Sequence, residues 1–285
     1  MLIKRNLLLF FRDRANVFFS LLAVLIIIGL YVLFLGDSME QSLRETLGFD
    51  SDRIAIIMAS IILAGMVAVT SVTSCLGALS ISIADKHSAI KDFYTSPVPK
   101  GKITLNYMLA SATVGLIMTV IALILCVAYI VYKGGSLPGW EDCALLLLTV
   151  VLSVLCGNSI VFFITIFVKS QSAYSALSMI VGTLIGFIMG IYIPIGILPD
   201  SVQWVIKCFP MTHAASMFKQ IFADAELKEL FANAPPEALE SFRETFGIVF
   251  SYGDHMSGFW FSALILAATT VLFYTLSLIA IQAKR

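Results

Sequence analysis

Six long runs without a single Asp, Glu, Lys, Arg or His dominate the chain. They are roughly Ala15–Leu35, Ile54–Ala84, Ile103–Tyr132, Cys143–Val168, Ala173–Ile193 and Gly258–Ile281. About 20 mostly apolar residues suffice for a helix to cross a bilayer. In hydrocarbon, a spanning helix satisfies its own backbone hydrogen bonds. Each run is long enough, so the expectation is an all-α integral membrane fold: six transmembrane helices in one domain covering residues 1–285. The second and third runs exceed the bilayer thickness and must tilt or project beyond it. Composition agrees, with 13% charged residues against roughly 25% in soluble domains. A net charge of zero points to no nucleic-acid partner.

Loop charges give the sidedness. With the N-terminus inside, the inner segments hold 11 Lys and Arg against 3 acids, and the outer ones 7 against 15. The positive-inside rule therefore puts both termini in the cytoplasm of a multi-pass plasma-membrane protein. Lys4 and Arg5 before LLLFF imitate a signal peptide, but Arg12, Asp13 and Arg14 interrupt at once, so the segment reads as mature sequence.

The empty midplane bears on mechanism. Proton- and ion-coupled transporters carry ionisable residues at depth, and an intramembrane hydrolase needs a nucleophile with its base, or metal ligands. Here Asn158 is the strongest polar side chain within a span. No G-x-x-x-x-G-K-[ST] loop is present to hold ATP, so any energy for uphill movement comes from another chain. The five cysteines match no metal or CxxC spacing. Cys143 and Cys208 both fall near the outer face, and the sequence leaves a disulfide between them open.

The outer loop, 194–257, begins with three prolines. Pro194 marks the end of the fifth span. Pro199 precedes a short helix with Asp200 or Ser201 as N-cap. Val202, Val205, Ile206 and Phe209 share one face of it, and Pro210 ends it. At about 15 Å it cannot cross, so it lies at the interface or dips in and returns. Backbone freed at such a break must be buried in protein or line a cavity. This stretch, with Trp204, is the candidate outer gate. Farther on, ADAELKELF and PPEALESFRETF read as short amphipathic helices, the second with Leu239, Phe242 and Phe246 on one face.

The inner loop, residues 85–102, carries Asp85, Lys86 and Lys91 beside apolar Ile90 and Phe93, then Thr95-Ser96-Pro97-Val98. Ile90 and Phe93 share a helix face at i, i+3. Composition alone allows a plain solvated loop. The acidic-basic pair followed by a Thr/Ser-Pro-Val element, in a chain of six spans, resembles the type-2 ABC transporter permease family. The resemblance covers nearly the whole chain. It departs in having Asp85 where the family often has Glu, and Ala89 where it often has Gly.

The resemblance implies several things. The inner loop would be the coupling helix that docks in a cytoplasmic ABC ATPase subunit. ATP and Mg²⁺ would bind on that subunit, and this chain would hold no cofactor or metal and have no catalytic residue. The N-terminal segment, with Arg12, Asp13 and Arg14, would be an interfacial elbow helix against membrane lipid; a cytoplasmic extension of the first span is the alternative. Gly182, Gly186 and Gly190, four apart, would admit another helix closely, within the chain or at a seam with a second permease copy, a homodimer ahead of a heterodimer. The substrate route would run between two copies, beside the first, second and fifth spans, with Thr70, Thr73 and Ser74 as candidate cavity or packing residues. The expected function is export of an amphipathic or hydrophobic compound: a drug, antimicrobial peptide or lipid. A non-transporting sensor or scaffold, or an exporter of a lipid-linked glycan, is the alternative.

Overall fold

The computed structural model describes residues 2–30, 52–87, 100–232, 234–253 and 255–283. Its elements are α1 (Leu2–Arg12), α2 (Arg14–Leu30), α3 (Asp52–His87), α4 (Lys100–Tyr132), α5 (Trp140–Phe167), α6 (Gln171–Ile188), a 3-10 turn (Ile195–Ile197), α7 (Asp200–Cys208), α8 (Pro210–Leu230), α9 (Pro236–Thr245) and α10 (Phe259–Ala283). A two-stranded antiparallel ribbon, β1 (Ser251–Tyr252) and β2 (His255–Met256), precedes α10.

Five of these helices, α3, α4, α5, α6 and α10, are long and apolar enough to cross a membrane. The first expected span is described to Leu30 as the 17-residue α2, and residues 31–35 lie outside the described part. The helix α3 is the centre: α2, α4, α5, α6 and α8 all pack on it. Its side chains from Ile56 to Ser71 are buried, apolar ones such as Ile57, Leu63 and Val67 forming the main core. In contrast α10 exposes Trp260, Leu264, Val271, Leu278 and Ile279, as a helix facing hydrocarbon does. Asn158 is buried and satisfied. Its Nδ2 donates to Met108 O (3.1 Å) and Tyr274 Oη (3.0 Å), and Ser111 Oγ donates to its Oδ1 (2.6 Å), which stitches α4, α5 and α10 together.

Two expected boundaries are corrected. The fifth span stops at Ile188, five residues early. Met189 caps it, and Gly190 turns the chain at φ +64°, a conformation that glycine enters without strain. The stop is thus a left-handed glycine before Pro194 is reached; Pro194 caps the 3-10 turn instead. For α7 the cap is Pro199, with Asp200 as the first helical residue.

Phe209 is at once the C-cap of α7 and the N-cap of α8, and Pro210 opens α8, where its missing N–H costs nothing. ADAELKELF is no separate helix, because it continues α8 to Leu230. Met211 and Phe209 line an apolar cleft with Val72 and Gly157, deep within α3 and α5. At the other end of α8, Glu226 pairs with Arg53 (3.3 Å) in the first turn of α3. So α8 runs antiparallel beside the first half of α3, and the α7–α8 tip lies well down the bundle. PPEALESFRETF forms α9 from Pro236, with Phe242 packed on Phe231 and Phe246.

Candidate functional site

Three groups of residues carry the chemistry: a polar clamp at the C-terminal end of α3, a groove along α3 and α6, and a buried unit around α8.

The clamp joins α1, α3 and α4. Asp85, near the end of α3, is buried. It accepts hydrogen bonds from Arg5 Nη1 (2.7 Å), Arg5 Nη2 (3.0 Å) and Tyr107 Oη (2.5 Å). A fork-shaped guanidinium matches a carboxylate in this bidentate way. The hydrogen bonds it donates to Asp85 hold the Arg5 guanidinium above its ordinary pKa. Phe10 locks the same helix apolarly, fully buried against Ala78, Val114 and Met118.

Hence Asp85, expected as a coupling residue at a partner surface, faces inward and anchors α1. The anchors on α1 are Arg5 and Phe10, whereas Arg12, Asp13 and Arg14 are exposed. Asp13 separates α1 from α2, and its carboxylate accepts from Ala15 N (3.1 Å), an N-cap. The remaining coupling residues, Ile90, Lys91 and Phe93, lie outside the described residues, as does the side chain of Lys86.

The groove, about 790 Å³, lies between α2, α3 and α6. Thr73, Gly77 and Ser80 on α3 face Ser20 on α2 and Gln171, Tyr174, Ser175 and Ser178 on α6; Leu76 and Met179 complete the lining. Its described lining holds hydroxyl, amide and apolar groups and no charge. Many of the hydroxyls bond their own helix, as Thr73 does to Val69 O (3.2 Å) and Ser80 to Gly77 O (2.6 Å), which leaves lone pairs for a guest. Tyr174 Oη donates to Leu76 O (2.6 Å), fixing α6 on α3. Of the expected trio, Thr73 lines the groove. Thr70 is buried and donates to Met66 O (2.9 Å), and Ser74 is buried with no hydrogen-bond partner.

The three glycines expected in the fifth span part company. Gly182 is exposed, with nothing within 4 Å of where a Cβ would stand. At Gly186 that Cβ would stand 2.4 Å from Tyr192, and at Gly190 2.8 Å from Ile195. Intrachain packing therefore accounts for two of the three.

In the third unit, α8 is buried from Met211 to Lys219. His213 Nδ1 lies 3.1 Å from Ser262 Oγ on α10, and Nε2 lies 3.2 Å from both Lys207 O and Tyr252 Oη. Tyr252 Oη donates to the same Lys207 carbonyl (2.8 Å). Lys219 is fully buried. Its Nζ donates to Phe246 O (2.9 Å) and Met189 O (3.2 Å) and reaches Gly190 O (3.5 Å). Burial pushes its pKa down to about 7, so it serves these carbonyls first as a donor and second as a charge. Sequence reasoning assigns neither residue a role, although it allows a second short helix from about Met211 to Phe222 as the returning arm of the outer hairpin. The available signal was their place on the continuation of an apolar helix, MTHAASMFKQIF.

Among the gate residues, Trp204 is exposed and meets the Tyr252 ring edge-on at 6.3 Å, with Lys207 Nζ 5.9 Å from the Trp204 ring centre. Val202 and Val205 are exposed too, and Ile206 alone of that face is buried. Phe209 is half-buried at the tip. Cys143 and Cys208 are free thiols.

Burial lowers the His213 pKa below its ordinary value of 6.5, so folding holds the ring neutral. The stability this gives is present above pH 6.5 and is lost as pH falls through the lowered value, because the unfolded chain takes up the proton first. The thermal midpoint should therefore drop on acidification below about pH 6.5, and His213→Asn should flatten that dependence. An unchanged acid limb in the variant would show that other groups cause it.

Comparison with curated proteins finds no match. A family model described as "ABC-2 family transporter protein" matches residues 50–279, from the start of α3 into the last helix. The match takes in most of the chain and all five helices long enough to span. The chain therefore belongs to the ABC-2 transporter family, as the multi-pass permease part of an ABC transporter with a partner ATPase subunit.

Proposed function

We propose that the protein exports an amphipathic, uncharged or weakly polar compound, driven by ATP and Mg²⁺ bound on the partner ATPase. The uncharged groove between α2, α3 and α6 carries this reading. A small ion would lose its hydration there with no charge to replace it. A molecule with hydroxyl or amide groups on an apolar body finds both kinds of partner. The groove lies beside the helices expected to flank the route between two permease copies, and a homodimer is the simplest assembly that closes it. The exposed face of α6, with Gly182, Met179, Ile180 and Leu184, is then available to the second copy.

In this reading ATP-driven closure of the ATPase subunits displaces the inner loop that follows Asp85. The clamp passes the displacement to α1, α3 and α4 together. The groove opens outward past the α7–α8 tip. A stable complex with an ATPase subunit and vanadate-sensitive transport in proteoliposomes test it. A chain that forms no such complex would be a sensor or scaffold. Within the assembled complex, Ser175→Trp places an indole in the groove from an exposed position. Transport of an amphipathic fluorescent dye should fall at least tenfold, since a misplaced ring of this size costs over 1.4 kcal/mol of binding. Dye transport at the original rate would place the route elsewhere.

A further inference from the structure

We propose that the Lys219 amine is the tie that makes the outer end of the permease move as one body, by donating to backbone left bare where α6 and α9 stop. The role as part of an outer gate rests on the transport reading above; the tie itself does not.

Helices end with carbonyls that lack a partner four residues on. Met189 and Gly190 follow the last turn of α6, and Phe246 follows the last turn of α9. Among the described residues no backbone N–H reaches these three carbonyls. Lys219, from the middle of α8, reaches all of them. No carboxylate among the described residues pairs with Lys219. Its partners are the negative ends of two helix dipoles.

The surroundings are shaped for this convergence. Both helix ends turn through left-handed glycines, Gly190 (φ +64°) and Gly247 (φ +62°). A Cβ at either would meet Ile195, at 2.8 and 2.5 Å, and at Gly190 it would also stand 3.5 Å from Lys219 Nζ. The amine thus answers the question a broken span raises: where its freed backbone finds partners away from water. Parting α8 from the ends of both α6 and α9 would bare three carbonyls and one amine at once. So the α6 end, α8 and α9 should shift together, and the outward motion hinges elsewhere.

Hydrogen–deuterium exchange on the purified permease in lipid nanodiscs tests the tie. The arms are wild type, Lys219→Met, and Lys219→Ala with and without added n-propylammonium. Lys219→Met keeps the chain's length and removes the donors. Amides 189–192 and 246–250 should then exchange about tenfold faster, both segments together, the loss of roughly one net hydrogen bond. Propylammonium should restore protection to Lys219→Ala. Faster exchange in only one segment, or in neither, would overturn the tie, as would a folded Lys219→Ala that propylammonium leaves unprotected. Joint loosening with unchanged ATP-driven transport would keep the tie and remove the gate role.

Discussion

Asp85→Asn is expected to cut ATP-driven transport at least tenfold while the partner ATPase stays bound. The Asp85 carboxylate accepts three hydrogen bonds, two of them from Arg5. An amide in its place offers one acceptor and sets an N–H₂ donor against a guanidinium that can only donate. A hydrogen bond to a charged group contributes about 1.5–3 kcal/mol. The Arg5 side chain is 35% exposed, and water recovers part of that, which leaves a loss of about 2 kcal/mol. At roughly 2–4 °C per kcal/mol, the thermal midpoint should fall by about 4–8 °C. The larger effect falls on coupling, because the elbow helix loses its polar anchor on α3. If Asp85→Asn and Arg5→Met together cost no more than either alone, the pair acts as a unit. Wild-type transport by Asp85→Asn would show that the clamp is only structural.

The double change Ile90→Asp, Phe93→Asp should abolish stimulation of the partner ATPase. These residues lie outside the described part of the chain, and the expectation rests on their i, i+3 spacing and on the family. Burying two such side chains in a partner's groove contributes about 1.5–3 kcal/mol each. Two carboxylates there add a desolvation cost. A weakening of at least a thousandfold, about 4 kcal/mol, should prevent co-purification with the ATPase, with membrane insertion intact. Retained co-purification would move the docking surface elsewhere. The two predictions separate cleanly: one breaks transmission within a bound complex, the other breaks the complex.

The spans were legible because hydrocarbon imposes one demand on every residue of a run. Ile103 and Tyr132 bracketed α4 nearly to its ends, and Pro236 announced α9. The site was less legible, because it depends on partners far apart in sequence. Arg5 and Asp85 are 80 residues apart, and nothing local to the Asp85-Lys86 pair tells an inward carboxylate from an outward one. Lys219 misled for a related reason. Lysine is almost never fully buried, so its default place is solvent, and only three carbonyls from two other helices reverse that. Pro199 and Pro210 do open helices, but the fifth span stops at Gly190 and not at Pro194, and a left-handed glycine turn leaves no sign beyond the residue itself.

The central helix has 36 residues, about 54 Å at 1.5 Å per residue. Its C-terminal end holds the clamp at Asp85, and its N-terminal end holds Arg53 against Glu226 on α8. A rod gripped at both ends can act as a rocker. Tilting it by about 5° around its midpoint displaces each end by about 2 Å in opposite directions, a shift of the size helices make at switching interfaces. A small sideways stroke at one end would thus reach the other as an equal and opposite one, with no segment in between needing to unfold or lengthen.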